Sequence, residues 1–143
     1  MAASKTYLVP IDFSHGSEIA VNHALTLARE KKGKIVLLHV IPSTLVYPSE
    51  GTTFDFYTLM ERAAREHIAR LARLKRLKPS DYRFVIVRGA NIAETIARQA
   101  KKLRVSIIVM GSHGRTGFQR FVLGSVAEKT LRYADCPVLI VKK

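Results

Sequence analysis

Ile35-Val36-Leu37-Leu38-His39-Val40-Ile41 is an apolar run interrupted by one histidine. A strand with one face in water alternates apolar and polar residues. A run without that alternation belongs to a strand buried on both faces, the condition of a parallel sheet covered by helices. Four other segments have the same character: residues 7–11, ending at Asp12, then 82–87, 105–110 and 138–141. Helical patterns separate them. Ser14 caps the first helix, with Glu18 in its first turn. Ala20, Ala24, Leu27 and Ala28 share one face, and Gly33 ends the helix. Asn91 and Glu94 make a capping-box-like start for a helix with Ile92, Ile96, Ala100 and Leu103 on one side. Residues 126–133 form another.

Strand and helix alternating in this way predict an α/β chain: one doubly wound, five-stranded parallel sheet with right-handed crossovers and helices on both faces. The chain has 143 residues, 48% hydrophobic and 24% charged, which suits a single domain over residues 1–143 with a real core. No apolar run exceeds four residues. A membrane span needs roughly 20 and a secretion signal roughly 7–15, so no membrane partner and a cytoplasmic location are expected. The single cysteine, Cys136, excludes an internal disulfide and is read as packing.

Ligands of such sheets bind beyond the carboxyl ends of the strands, at the point where strand order reverses. The residues of interest are therefore Asp12, the turn at 40–42, Gly89 and everything from Gly111 onward. There the chain reads Gly111-Ser112-His113-Gly114-Arg115-Thr116-Gly117-Phe118-Gln119-Arg120-Phe121-Val122-Leu123-Gly124-Ser125. Phosphate binding needs backbone N–H groups unobstructed by Cβ atoms, which glycine supplies, and a helix starting at Gly124-Ser125 adds an anion site at its positive end. The Ser125 hydroxyl can donate one more bond, and Arg115 and Arg120 bring charge nearby. Neither Gly-Lys-Ser/Thr nor a GxGxxG after the first strand occurs, so P-loop and dinucleotide folds are set aside.

This G-x2-G-x9-G-S segment resembles the nucleotide signature of the ATP-binding subgroup of universal stress proteins at every fixed position. The resemblance covers nearly the whole chain: Val9-Pro10-Ile11-Asp12-Phe13-Ser14, Leu38-His39-Val40, Gly89, and Cys136-Pro137-Val138-Leu139-Ile140-Val141. It implies the strand order 3-2-1-4-5 and an ATP-binding stress-response regulator. Pro10, Ile11 and Asp12 would border the nucleoside, and the Val40 backbone would meet adenine. Gly111 and Gly114 would border ribose and phosphates, with Met110, Ser112, His113 and Arg115 in the same binding site, and Gly124, Ser125 and Val126 would bind phosphate. Mg²⁺ or Mn²⁺ would be carried by the phosphates. The family also implies a homodimer through the C-terminal strand, residues 137–142, and a protein partner of unknown identity.

Two other functions fit parts of the sequence. A slow ATP hydrolase would need a base to activate water, and only Asp12, His15 or His113 offers one; no Ser-His-Asp set can be assembled. His39 reads as a satisfied core residue, and His23 and His67 as structural. A nucleic-acid-binding module is suggested by a net charge of +13. It is suggested too by a helix over residues 54–77, where Met60, Ala64, Ile68, Leu71 and Leu74 face one way and Arg62, Arg65, Arg70, Arg73 and Arg76 the other. No aromatic residue interleaves the arginines, so a solvated face is favoured. Residues 42–55, with Pro48, Gly51 and no clear period, are either a lid over the site or an insertion.

Overall fold

The computed structural model describes residues 4–43, 56–113 and 122–142. Its five strands are β1 (Thr6–Pro10), β2 (Lys34–Pro42), β3 (Tyr82–Gly89), β4 (Ile107–Gly111) and β5 (Val138–Val141). They form one sheet in the order β3-β2-β1-β4-β5, and every pairing is parallel. The connecting helices are α1 (His15–Lys31), α2 (Phe56–Leu74), α3 (Ile92–Lys102) and α4 (Ser125–Tyr133).

The unbroken apolar runs of β1, β2 and β4 are explained by burial on both sides, whereas β3 and β5 depart from that expectation because they are the edges of the sheet and only partly covered. Tyr7, Val9, Ile35, Leu37 and Val109 pack with α1 and α2 residues such as Val21 and Ile68. Their chain neighbours Leu8, Val36, Leu38, Ile108 and Met110 pack on the opposite face with Ile96, Ala100 and Ala127 of α3 and α4. Successive side chains point to opposite faces of a strand, so two covered faces require apolar residues at every position.

The helix starts follow their capping residues. Ser14 is extended and its Oγ accepts from the Ser17 N–H, while Asn91 Oδ1 accepts from the Glu94 N–H. The end of α1 differs from expectation. Lys32, at φ 50°, takes the left-handed position, and Gly33 follows it. Gly33 is needed for space instead, because a Cβ there would lie 2.6 Å from the Lys5 carbonyl oxygen and the Tyr7 ring. Leu74 also departs from its expected face. It is the last residue of α2 and 71% exposed, while Ala72 is buried beside Leu71 and Ile68. Leu77, just beyond the helix, packs against the core in its place. Arg76 lies beyond the helix at φ 53°.

Register positions the site. β1 pairs with β2 only as far as Pro10 opposite Leu38, whereas β2 and β3 stay paired to Pro42 opposite Gly89. β4 and β5 stay paired to Gly111 opposite Val141. The central strand therefore stops short of its neighbours, leaving a cleft between the ends of β2 and β4. This is where the strand order reverses.

Candidate functional site

A cavity of about 340 Å³ occupies that cleft. Its floor is the end of β1, Pro10 and Ile11, with Asp12 following. Leu38, His39, Val40 and Pro42 of β2 form one wall, and Met110 and Gly111 of β4, with Ser112 and His113, form the other. Gly124, Ser125 and Val126 close the end at α4. Every proposed site residue within the described residues lies on this wall; Gly114 and Arg115 fall outside the described residues, as does most of the 42–55 segment.

Each wall presents a different kind of group. The Ile11 N–H donates to the Leu38 carbonyl at 2.8 Å, which fixes Leu38's peptide groups toward β1. Residues two apart in a strand share that direction, so the N–H and C=O of Val40 face the same way, past the point where β1 has ended. They give the cleft a backbone donor and acceptor side by side. Around them the lining is apolar: Met60 of α2, Ile92 and Ile96 of α3, and Met110.

Asp12 is the only carboxylate among the described lining residues. Its Oδ1 accepts from the Ser14 N–H at 3.0 Å, an Asx turn that holds the carboxylate on the cavity wall. Phe13, inside the turn, has φ 64°, a costly conformation for a bulky residue. Its ring packs against both His39 and His67, each with its centroid 4.7 Å away. His39 is buried and its Nδ1 lies 2.8 Å from the Ile11 carbonyl oxygen. A carbonyl only accepts, so Nδ1 is the donor. The expected satisfied core histidine is thus present, and it also borders the cavity.

The far end is built from close backbone approach. A Cβ on Gly111 would sit 2.7 Å from the Gly16 carbonyl oxygen, and one on Gly124 would sit 2.9 Å from that of Ser112. Neither glycine has a positive φ. They serve proximity of α1, β4 and α4 rather than backbone handedness. Unlike α1 and α3, α4 has no side-chain cap: Gly124 is its N-cap, and the first helical bond runs from the Glu128 N–H to the Gly124 carbonyl. The N–H groups of the first turn, at Ser125, Val126 and Ala127, therefore begin the helix beside the cavity with no capping oxygen among the described residues.

His113 lines the cavity, its Nδ1 3.0 Å from Ser112 Oγ, and its Nε2 is buried with no hydrogen-bond partner among the described residues. His15 is exposed at the first position of α1 and is not on the wall. Gly89 is not on it either; it makes room for Thr95 of α3. Sequence reasoning missed Ser14 and Ser17 at the start of α1, and Met60. Ser14 was legible only as a cap, the methionine only as part of an apolar stripe, and Ser17 carried no signal. Among the described residues no group of three or more His, Cys, Asp or Glu could hold a metal ion, and no helix is long and apolar enough to cross a membrane.

The model of the universal stress protein family matches residues 4–142. The chain belongs to this family. Universal stress protein MJ0531 of Methanocaldococcus jannaschii is 30% identical over 141 residues, covering 97% of this chain and 82% of its own. Universal stress protein MJ0577 of the same organism is 31% identical, covering 97% and 95%. The solved structure of MJ0577 superposes with a TM-score of 0.79 at 30% identity over 99% of this chain and 98% of its own. Two family structures share the fold at lower identity. One, in complex with cAMP, has TM-score 0.68 and 23% identity over 99% of this chain and 98% of its own. The other, from Archaeoglobus fulgidus in complex with dAMP, has 0.67 and 21% over 98% of each.

Proposed function

We propose that this chain is an ATP-binding regulatory protein of the stress response, with the nucleotide lying in the cleft between β2 and β4. The observation that carries the reading is the uncapped start of α4 on a cavity whose opposite wall offers the Val40 backbone pair. The first suits an anion, through free N–H groups at the positive end of a helix. The second suits the donor and acceptor edge of adenine. Between them the apolar lining of Met60, Ile92, Ile96 and Met110 fits a planar ring, and Asp12 stands where a ribose hydroxyl could donate to it. The adenine nucleotides in two structures of the same fold support the ligand class.

In this reading Gly111, Ser112 and His113 border the phosphates, with Gly114 and Arg115 completing the loop, and Ser125 adds a hydroxyl to the helix N–H groups. Mg²⁺ or Mn²⁺ travels with the phosphates, as the oxygen-rich coordination of those ions favours. The protein works in the cytoplasm as a homodimer joined through β5, and a protein partner reads the nucleotide state from the dimer surface. The decisive experiment is mass analysis of any small molecule released on denaturing the purified protein, followed by calorimetric titration with ATP, GTP and adenosine. Absence of ATP binding by folded protein refutes the assignment.

A further inference from the structure

The Ile11 carbonyl breaks the hydrogen-bond pattern of the sheet. In a parallel ladder, a residue that donates to one carbonyl of the neighbouring strand accepts from the N–H two residues further along that strand. The Ile11 N–H donates to the Leu38 carbonyl at 2.8 Å. The next bond of the ladder would run from the Val40 N–H to the Ile11 carbonyl. Among the described residues that bond is not made. The carbonyl accepts instead from His39 Nδ1 at 2.8 Å. Val40 is buried, at 7% exposure, and its N–H points the same way as that of Leu38, into the cleft. Buried backbone N–H groups are nearly always paired, so one left open on a cavity wall takes its acceptor from whatever fills the cavity.

The imidazole is placed to hold the carbonyl away from Val40. Side chains stand roughly perpendicular to a sheet, whereas ladder bonds run within it. His39 follows Leu37 by two residues, so it stands on the same face, the one covered by α1 and α2. A bond to its ring draws the Ile11 oxygen toward that face and out of the plane in which the Val40 N–H points. The ring is itself fixed by packing. Phe13 lies 4.7 Å from it at an interplanar angle of 42°, and Phe13 in turn stacks on His67 of α2 at 26°. Phe13 is the residue at φ 64° inside the Asx turn of Asp12. The turn that carries Asp12 and the ring that holds the Ile11 carbonyl therefore pack as one unit.

We infer that His39 is a positioning residue for the nucleotide base: its imidazole takes the Ile11 carbonyl, and the Val40 N–H is thereby kept open for a ring nitrogen of adenine. The inference rests on the nucleotide reading and adds to it the side chain that prepares the base site. No change of charge is involved, since a neutral ring with its hydrogen on Nδ1 supplies the donor. Without that donor the Ile11 carbonyl takes the Val40 N–H, and the ladder between β1 and β2 closes by one more bond. Adenine then has to break a bond within the protein to make its own. The loss is that of one hydrogen bond, about 2- to 10-fold in affinity.

Two variants separate the donor from the bulk of the ring. In His39→Asn the side-chain amide nitrogen takes the place of Nδ1 and still donates to Ile11. In His39→Leu the donor is lost and an apolar side chain fills the space. Calorimetric titration of the folded proteins with ATP in excess Mg²⁺ should give near-wild-type affinity for His39→Asn and a loss of about 2- to 10-fold for His39→Leu. The NMR scalar coupling across a hydrogen bond from the Val40 nitrogen to the Ile11 carbonyl carbon is a readout that a merely structural role would not move. It should be absent from free wild type and free His39→Asn, and present in free His39→Leu. Should the leucine variant fold poorly, wild type alone still decides: a Val40–Ile11 coupling in the free protein overturns the inference. Equal ATP affinity in wild type and His39→Leu, or an equal loss in both variants, also overturns it and leaves the nucleotide reading standing. Failure of wild type to bind ATP overturns the two together.

Discussion

The Gly124 N–H donates to the Ser112 carbonyl oxygen at 2.7 Å, tying the start of α4 to the end of β4. A Cβ on Gly124 would lie 2.9 Å from that same oxygen. Glycine is therefore required at 124 before any ligand arrives. Gly124→Val should abolish ATP binding, and it should also destabilise the fold by about 1–3 kcal/mol through overpacking. Ser125→Ala separates the two effects. It removes a hydroxyl without adding an atom, so thermal stability should stay near wild type. ATP affinity should drop by about 2- to 10-fold, the worth of one hydrogen bond. Calorimetry with a melting curve for each variant decides it. If folded Gly124→Val binds ATP as wild type does, the phosphates do not lie at α4.

Asp12 has two tasks that a single substitution would confuse. Its Oδ1 accepts from the Ser14 N–H, holding the turn in which Phe13 takes φ 64°. Asp12→Ala loses both that acceptor and the charge. Asp12→Asn keeps an Oδ1 acceptor for Ser14 and changes only what the cavity meets. Asp12→Ala should weaken ATP binding by about 2- to 150-fold and lower the melting temperature. Asp12→Asn should weaken binding less and leave stability nearly intact. Equal losses of stability in the two variants would contradict the turn-holding role.

The central strands β1, β2 and β4 were legible because burial on both faces leaves an unmistakable mark, while the edge strands β3 and β5 keep an apolar run although most of their residues are not buried. Leu37 and Leu38 point to opposite layers and both are fully buried. The site was legible where it follows strand ends, as at Asp12, Val40 and Gly111. Two features were not. Pairing register is a relation between segments distant in sequence, so nothing in residues 6–10 announces that β1 stops short of β2 and β4. The packing of Gly16 under the His113 carbonyl is likewise invisible, because Gly16 reads only as a poor helix former inside the first turn of α1. Met60 was placed on the correct face of α2, but whether that face meets sheet or cavity depends on how far the helix extends along the sheet.

Cys136 sits beside Pro137 at the entry to β5 and packs against the α3–α4 layer. Burial pushes its thiol up from the ordinary value of 9.0, and the nearby Asp135 charge acts in the same direction. A raised value means less thiolate in the folded state than in the unfolded one. Stability from this group is thus complete below the unfolded thiol's value and lost as pH rises through the folded one. Alkylation by iodoacetamide at pH 7.5 should be slower in the native protein than in urea, with the gap narrowing only as pH rises past the raised value of the folded thiol. Equal rates at pH 7.5 would show that the thiol is not shielded.

The arginines of α2 divide by environment. Arg65 pairs with Glu61 at 2.8 Å and lies 5.6 Å from the Phe84 ring centre. Arg62, Arg70 and Arg73 are exposed, and no ion pair involves them among the described residues. A solvated face predicts that replacing these three with Gln leaves ATP affinity, association state and melting temperature nearly unchanged. Tight binding of duplex DNA by wild type, steeply weakened by salt and lost in the triple variant, would instead assign the face to nucleic acid.

β5 is the edge of the sheet beside β4, and its outer side is apolar. Val138 and Ile140 are half-buried and Leu139 is 37% exposed, with Leu131 and Tyr133 of α4 also exposed nearby. An unpaired strand edge presents a row of free N–H and C=O groups, and protective charge is confined here to Lys142 and Lys143 after its end. A second copy related by a two-fold axis would bring β5 against β5 in antiparallel alignment and cover both features at once. Leu139→Lys places charge in the centre of that surface while leaving the inward Val141 in place, so the subunit should still fold. Light scattering at micromolar concentration should give a dimer for wild type and a monomer for the variant. A monomeric wild type, or a dimer indifferent to the charge, would remove β5 as the interface.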